Sequence, residues 1–206
     1  MPVVWCFDGE KGTFERFSRE MDGQMPYVES LSFSPRDFLY PRTDWVCWTE
    51  KAALVALNEL GKACPFPDAF TVDGGFSRAG ETEPWALAGK AGLCFDVGRG
   101  LTERERRALW EAALEKGRFA GVSPPYLSGR GLRLAFRLAI PPLGDRATGV
   151  YVLAAQKELM RLGLYRGPLT GRMDGATRRS VGALRRLTGA GEGTTVDGRC
   201  WHSMLK

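Results

Sequence analysis

Between Ile140 and Gly149 the chain runs Ile-Pro-Pro-Leu-Gly-Asp-Arg-Ala-Thr-Gly. Neither a helix nor a central strand passes through such a stretch. Two adjacent prolines remove two backbone donors and fix φ, and the glycines beyond them suit a short linker. The 206 residues are therefore expected to fold in two parts, 1–140 and 150–206, joined by a linker over 141–149. Charge divides at the same place. From residue 150 onward ten Lys and Arg stand against four Asp and Glu, whereas the preceding 149 residues hold 19 against 20.

With 44% hydrophobic and 26% charged residues, the chain has enough apolar material for a core and is no disordered or fibrous sequence. No apolar run reaches the about 18 residues of a membrane span. The best candidate, Leu132 to Ile140, is cut by Arg133 and Arg137 and stopped by Pro141 and Pro142. At the N-terminus charge arrives at Asp8 before an apolar leader can form. A protein made without a signal peptide, as a cytoplasmic chain, is the expectation; any wall, spore or phage association would then come by a non-classical route.

Helical spacing dominates the second part. Val152, Ala155, Leu159 and Leu162 form one stripe, with Gly163 as its left-handed stop. Leu164 to Gly175 is turn chemistry around Pro168. A second helix opens near Asp174 or Gly175, buries Val181, Leu184 and Leu187, and closes at Gly189. Val196-Asp197-Gly198 leads into a last helical turn through Trp201 and Leu205. A small all-α, three-helix domain follows. The first part mixes periods. Thr49 is placed as N-cap of a helix carrying Leu54, Leu57 and Leu60 and ended by Gly61. Thr102-Glu103-Arg104-Glu105 is a capping box for a helix that turns Leu109, Ala112 and Ala113 inward and stops at Gly117. Gly92 to Gly98 and the alternating Leu132 to Ile140 are expected strands. The fold class is α+β with a small antiparallel sheet.

Few residues offer chemistry. His202, beside Trp201, is the single histidine, so no mechanism that needs two imidazoles fits one chain. The five cysteines (Cys6, Cys47, Cys64, Cys94 and Cys200) are odd in number and widely spaced, the pattern of buried free thiols rather than of a disulfide framework. Cys94 and Asp96 share one face of their strand and could begin a metal site if Cys64 or another distant group joined them. The arginines of the second part could neutralise phosphates, yet no aromatic platform is interleaved with them, which argues against nucleic acid. Arg178/Arg179 and Arg185/Arg186 suit a solvated helix face, and the same charges would attract anionic wall polymers.

Read together, Val152, Gln156, Leu159, Leu162-Gly163-Leu164-Tyr165, Gly167-Pro168, Gly171, Thr177, Val181, Gly189, Val196-Asp197-Gly198 and Trp201 resemble the three-helix peptidoglycan-binding domain. The match departs at Thr170, where that family has Asp, and at Leu184-Arg185, where it has Phe-Gln. It implies a contact surface in the groove between the first two helices, near Tyr165, Gly167, Thr170, Gly171 and Arg172. The first part, through Cys6-Phe7-Asp8-Gly9-Glu10, Met25-Pro26-Tyr27, Trp48-Thr49-Glu50-Lys51, residues 92–98 and Val122 to Ser128, is similar to the zinc D-alanyl-D-alanine carboxypeptidases. That family's chemistry rests on two His and one Asp around zinc and a Glu that takes a proton from the bound water. Only the Asp matches here, at Asp96. The first His position falls on Gly89, the second on Arg133, and the Glu position on Ser123. Arg133 could fill the place of the metal and pair with Asp96. Arg78 lies near the arginine that grips a substrate carboxylate in the family.

The resemblance thus implies a pseudo-peptidase fused to a wall-binding module. Its expected partner is peptidoglycan or another anionic wall polymer, bound without catalysis, without cofactor and without a membrane span. Two other functions stay open. One is a metal-dependent D,D-peptidase rebuilt around Cys94 and Asp96 with zinc; the other is a structural or scaffold protein of a spore or phage particle.

Overall fold

Val4, Cys6 and Asp8 are buried while Val3, Trp5 and Phe7 are half-buried, the two-residue period of a strand. In the computed structural model Val3–Asp8 (β1) is the central strand of a three-stranded sheet, between Thr13–Ser18 (β2) and Val46–Glu50 (β3). The structure describes residues 2–39, 46–75, 85–126 and 131–205. These fall into two compact units that divide between Leu138 and Ala139.

The N-terminal unit is α+β, but its strands are not all antiparallel. β1 pairs antiparallel with β2 across a short turn and parallel with β3. The chain between Ser18 and Val46, which includes the helix Pro35–Leu39 (α1), is long enough for the crossover that a parallel pair requires. A second, four-stranded sheet is antiparallel throughout. Its order is Val72–Gly74 (β4), Cys94–Val97 (β5), Leu132–Ala135 (β7) and Gly121–Val122 (β6). β7 stops at Ala135 instead of reaching Ile140, because its partner β5 begins at Cys94, opposite Ala135.

Thr49 is not a helix cap. It belongs to β3, is fully buried, and donates its hydroxyl to the Gly92 carbonyl at 2.6 Å. Glu50 takes the cap position of the helix Lys51–Ala63 (α2), without a side-chain capping bond. The neighbouring Trp48 indole donates to the Lys90 carbonyl at 3.0 Å, at the end of Ala86–Lys90 (α3). These two bonds join the first sheet to the turn that starts β5. Gly92 sits in that turn at φ +71°, and a Cβ there would lie 1.8 Å from the Trp48 carbonyl oxygen, so only glycine fits. Gly61 does not end α2, which continues to Ala63; it lets Leu31 pack so closely that a Cβ would meet it at 2.1 Å. The helix Glu103–Lys116 (α4) has the expected capping box at Thr102 and a left-handed stop at Gly117, and buries Leu109 and Ala113. Phe33, Phe38 and Phe95 meet at ring distances of 5.7, 5.9 and 6.4 Å in the core.

In the C-terminal unit Val150–Arg161 (α5), Gly175–Thr188 (α6) and Gly198–Leu205 (α7) pack together. Asp174 caps α6 by accepting the Thr177 N–H at 2.8 Å. Val181 and Leu184 are buried, but Leu187 is 74% exposed: the chain turns at Gly189, and Ala190 is the next buried residue. No helix among the described residues is long and apolar enough to cross a membrane.

Candidate functional site

Antiparallel pairing of β5 with β7 sets Asp96 directly opposite Arg133. Directly opposed residues share a face, so the guanidinium reaches straight across. Nε donates to one carboxylate oxygen at 2.8 Å and Nη2 to the other at 3.2 Å, a two-pronged ion pair with both side chains about a quarter to a third exposed. Ser123, at the third position of interest, fixes the backbone of this arginine. Its hydroxyl accepts the Arg133 N–H at 2.8 Å, and its own N–H donates to the Arg133 carbonyl at 2.9 Å.

The other candidates do not gather there. Gly89 is buried within α3. Cys94 is 6% exposed, and its thiol lies 3.6 Å from the Trp85 carbonyl, which accepts from it. Cys64 is buried at the end of α2, where desolvation pushes its thiol pKa up. Cys6, Cys47 and Cys200 are buried free thiols as well, with Cys6 pushed up to about 12 by burial. His202 is exposed on α7. Arg78 lies outside the described residues. Among the described residues no three His, Cys, Asp or Glu side chains converge as a metal site would require. The donor set does not fit zinc: both Asp96 oxygens accept from a cation that already occupies the space beside them.

A cavity of about 500 Å³ opens in the same unit, at the carboxyl ends of the parallel strands β1 and β3 and the start of α2. Strand ends of this kind are where open sheets place ligands. Asp8 closes β1. Its carboxylate accepts the backbone N–H groups of Glu10 and Lys11 and the Lys51 ammonium at 3.2 Å. The Lys11 N–H, and after it Lys51, hold its pKa below the usual carboxylate range. Glu50 closes β3 and is only 7% exposed. Burial raises its pKa, an effect that Arg137, at 3.1 Å, partly offsets. Phe136, Val55 and Phe7 supply apolar wall. The sequence signal for this cavity lies in the two mainly apolar strands Val3–Asp8 and Val46–Glu50, each closed by an acid.

In the C-terminal unit the expected contact residues surround Gln156, a fully buried amide on α5. Its nitrogen donates to the Thr170 and Thr177 hydroxyls at 2.9 and 2.8 Å and to the Arg172 carbonyl at 3.2 Å. Its oxygen accepts the N–H groups of Thr170 and Gly171, both at 3.0 Å. Tyr165 is 3% exposed and donates its hydroxyl to the Pro168 carbonyl at 2.7 Å, with Gly167 close against the ring. Tyr165, Thr170 and Gly171 therefore shape the turn between α5 and α6 from inside, because their polar groups are already engaged; of the expected contact residues only Arg172 is exposed. Comparison of the chain with family models, curated proteins and solved structures returns no match.

Proposed function

We propose that this chain binds bacterial cell-wall peptidoglycan, or an anionic polymer attached to it, without cleaving it. One observation carries the non-catalytic half: the Arg133 fork on Asp96. The single carboxylate that matches the zinc peptidases has a permanent cation as its partner, at the position where that family has its second histidine. A guanidinium cannot polarise a carbonyl as a Lewis acid or deliver a hydroxide, so the pair preserves the fold of a cleft and not its reaction. Support for the binding half comes from the C-terminal unit. Gln156 organises its inter-helix turn, and excess positive charge remains on its surface.

Sedimentation of the full chain with insoluble peptidoglycan tests this function, combined with zinc analysis and an assay for released D-alanine. Co-sedimentation without D-alanine release is the expected result. Stoichiometric zinc with turnover would establish the rebuilt peptidase on Cys94 and Asp96, and a chain that stays in the supernatant would favour the spore or phage scaffold.

A further inference from the structure

With the turn at Tyr165 to Gly171 engaged internally, another surface of the C-terminal unit is open to a ligand. A groove of about 740 Å³ runs between α6 and residues 192–194. Gly175 and Gly182, two turns apart on one helix face, form its floor, and Arg178, Arg179 and Arg186 rise beside them. A Cβ at Gly182 would meet the Arg186 guanidinium and the Gly193 carbonyl oxygen at 3.6 Å, an ordinary van der Waals contact, so the glycine is a covered floor with no clash and not a tight helix contact. Arg178 has a loose partner in Asp145 at 3.6 Å, itself held by the Thr194 hydroxyl at 3.0 Å. Arg179 and Arg186 have no partner among the described residues.

The facing wall is held in place. Arg185, adjacent in sequence but pointing the other way and mostly buried, donates to the Ala190 carbonyl at 2.7 Å, the Thr195 carbonyl at 2.9 Å and the Asp197 carboxylate at 2.9 Å. It thereby clamps both ends of the segment that carries Glu192, Gly193 and Thr194. Two adjacent arginines have divided roles: one builds the groove and the other faces into it.

We infer that this groove binds a linear, non-aromatic polyanion, a sugar or polyol chain with a phosphodiester in each repeat. Arg179 and Arg186 are seven residues apart, about 10 Å along a helix, too far for one phosphate and suited to successive charges on a chain. Among the described residues the lining holds no aromatic ring on which a base could stack. A glycine floor admits a polymer backbone close to the helix. That the polymer belongs to the cell wall rests on the proposed function; the groove itself does not.

Titration of the full chain with long-chain inorganic polyphosphate tests the groove, with orthophosphate, poly-glutamate and a single-stranded oligonucleotide as comparisons. Polyphosphate should bind with log K falling against log salt at a slope of about −2, and the double variant Arg179→Ala/Arg186→Ala should bind about tenfold more weakly. Gly182→Leu, which fills the floor and leaves the charge unchanged, should also weaken it, while circular dichroism shows both variants folded. Equal binding of orthophosphate at equal phosphate concentration, tighter binding of poly-glutamate or the oligonucleotide, or an unchanged double variant would each overturn the assignment. Sedimentation with wall material separates the two proposals. Wild-type binding to wall stripped of its phosphodiester polymers, undiminished in the double variant, removes the groove and keeps the function. Polyphosphate binding through these arginines, with no wall preparation bound, keeps the groove and removes the function.

Discussion

The two units treat charge in opposite ways. In the N-terminal unit the cations around the cavity and the strand pair have acidic partners: Arg133 with Asp96, Arg137 with Glu50, Lys51 with Asp8 and Arg118 with Glu59. In the C-terminal unit Gln156 and Arg185 are also engaged internally, although the buried Arg185 Nε and Trp201 Nε1 have no hydrogen-bond partner among the described residues, and Arg179 and Arg186 are exposed without partners among those residues. The difference separates two uses of polar groups. Matched groups hold a shape, and unmatched ones draw in an opposite charge from outside. A ligand of strong negative charge is accordingly expected at α6 and not at β5.

Removing the best-matched group should have the largest effect. Gln156→Leu keeps the volume but leaves the Thr170 and Gly171 N–H groups without their acceptor in the interior. Each such loss costs roughly 1–3 kcal/mol, so the variant should lose about 3 kcal/mol or more. Hydrogen exchange read at the amides of α5 and α6 checks it; protection equal to wild type would mean that the amide does not organise the unit. Arg179→Ala/Arg186→Ala, by contrast, should leave protection unchanged, since neither side chain holds structure.

Arg133→Met should come next. It strands the Asp96 carboxylate in a half-buried place, and the pair's partial exposure keeps the expected cost to about 1–2 kcal/mol, below that of a fully buried pair. Adding Asp96→Asn should recover most of the loss. Urea denaturation of the two single variants and the double variant gives the coupling directly. Additive effects would show that the fork contributes only geometry.

Asp197 gives a smaller, pH-dependent contrast. Its carboxyl pKa is lowered from 3.8 to about 2, first by the Cys200 N–H and then by Arg185. A depressed carboxyl contributes stability that is complete above about pH 4 and lost as the pH falls toward 2. With its side chain 40% exposed, the contribution is discounted for solvent to about 1 kcal/mol. Thermal unfolding of wild type and Asp197→Asn across that range should show a gap that closes at the acid end. A gap that persists at pH 2 would place the effect elsewhere.

Much of this was legible in the sequence where local chemistry decides. Asp174 and Gly189 bound α6, and Thr102 with Gly117 bounds α4, because capping needs only neighbours a few residues away. Thr49 misled because a β-strand running straight into a helix places a good capping residue one position early, and its hydroxyl was taken by Gly92, 43 residues distant. The parallel β1–β3 pair and the cavity at its end were invisible for the same reason: they depend on which strand becomes the neighbour, and no local pattern states that. Tyr165 and Thr170 read equally well as ligand contacts or as turn architecture, since hydroxyls serve both, and only burial separates the two uses.

The least effect belongs to Glu50, and it probes the N-terminal unit's matching from the other side. Burial raises the pKa of this carboxyl even with Arg137 beside it, so the folded state holds the proton more tightly than the unfolded chain. Its sign is therefore opposite to that of Asp197: stability falls as the pH rises from 4.5, the ordinary value, through the raised one, and is level above it. Glu50→Gln resembles the protonated acid in shape and cannot ionise. The variant should match wild type in mildly acidic urea titrations and gain on it as the pH rises, with the gap constant once Glu50 is fully ionised. If instead the variant loses stability toward neutral pH, the Arg137 pair outweighs the burial of the charge, and Glu50 acts as an ion-pair partner rather than a buried acid.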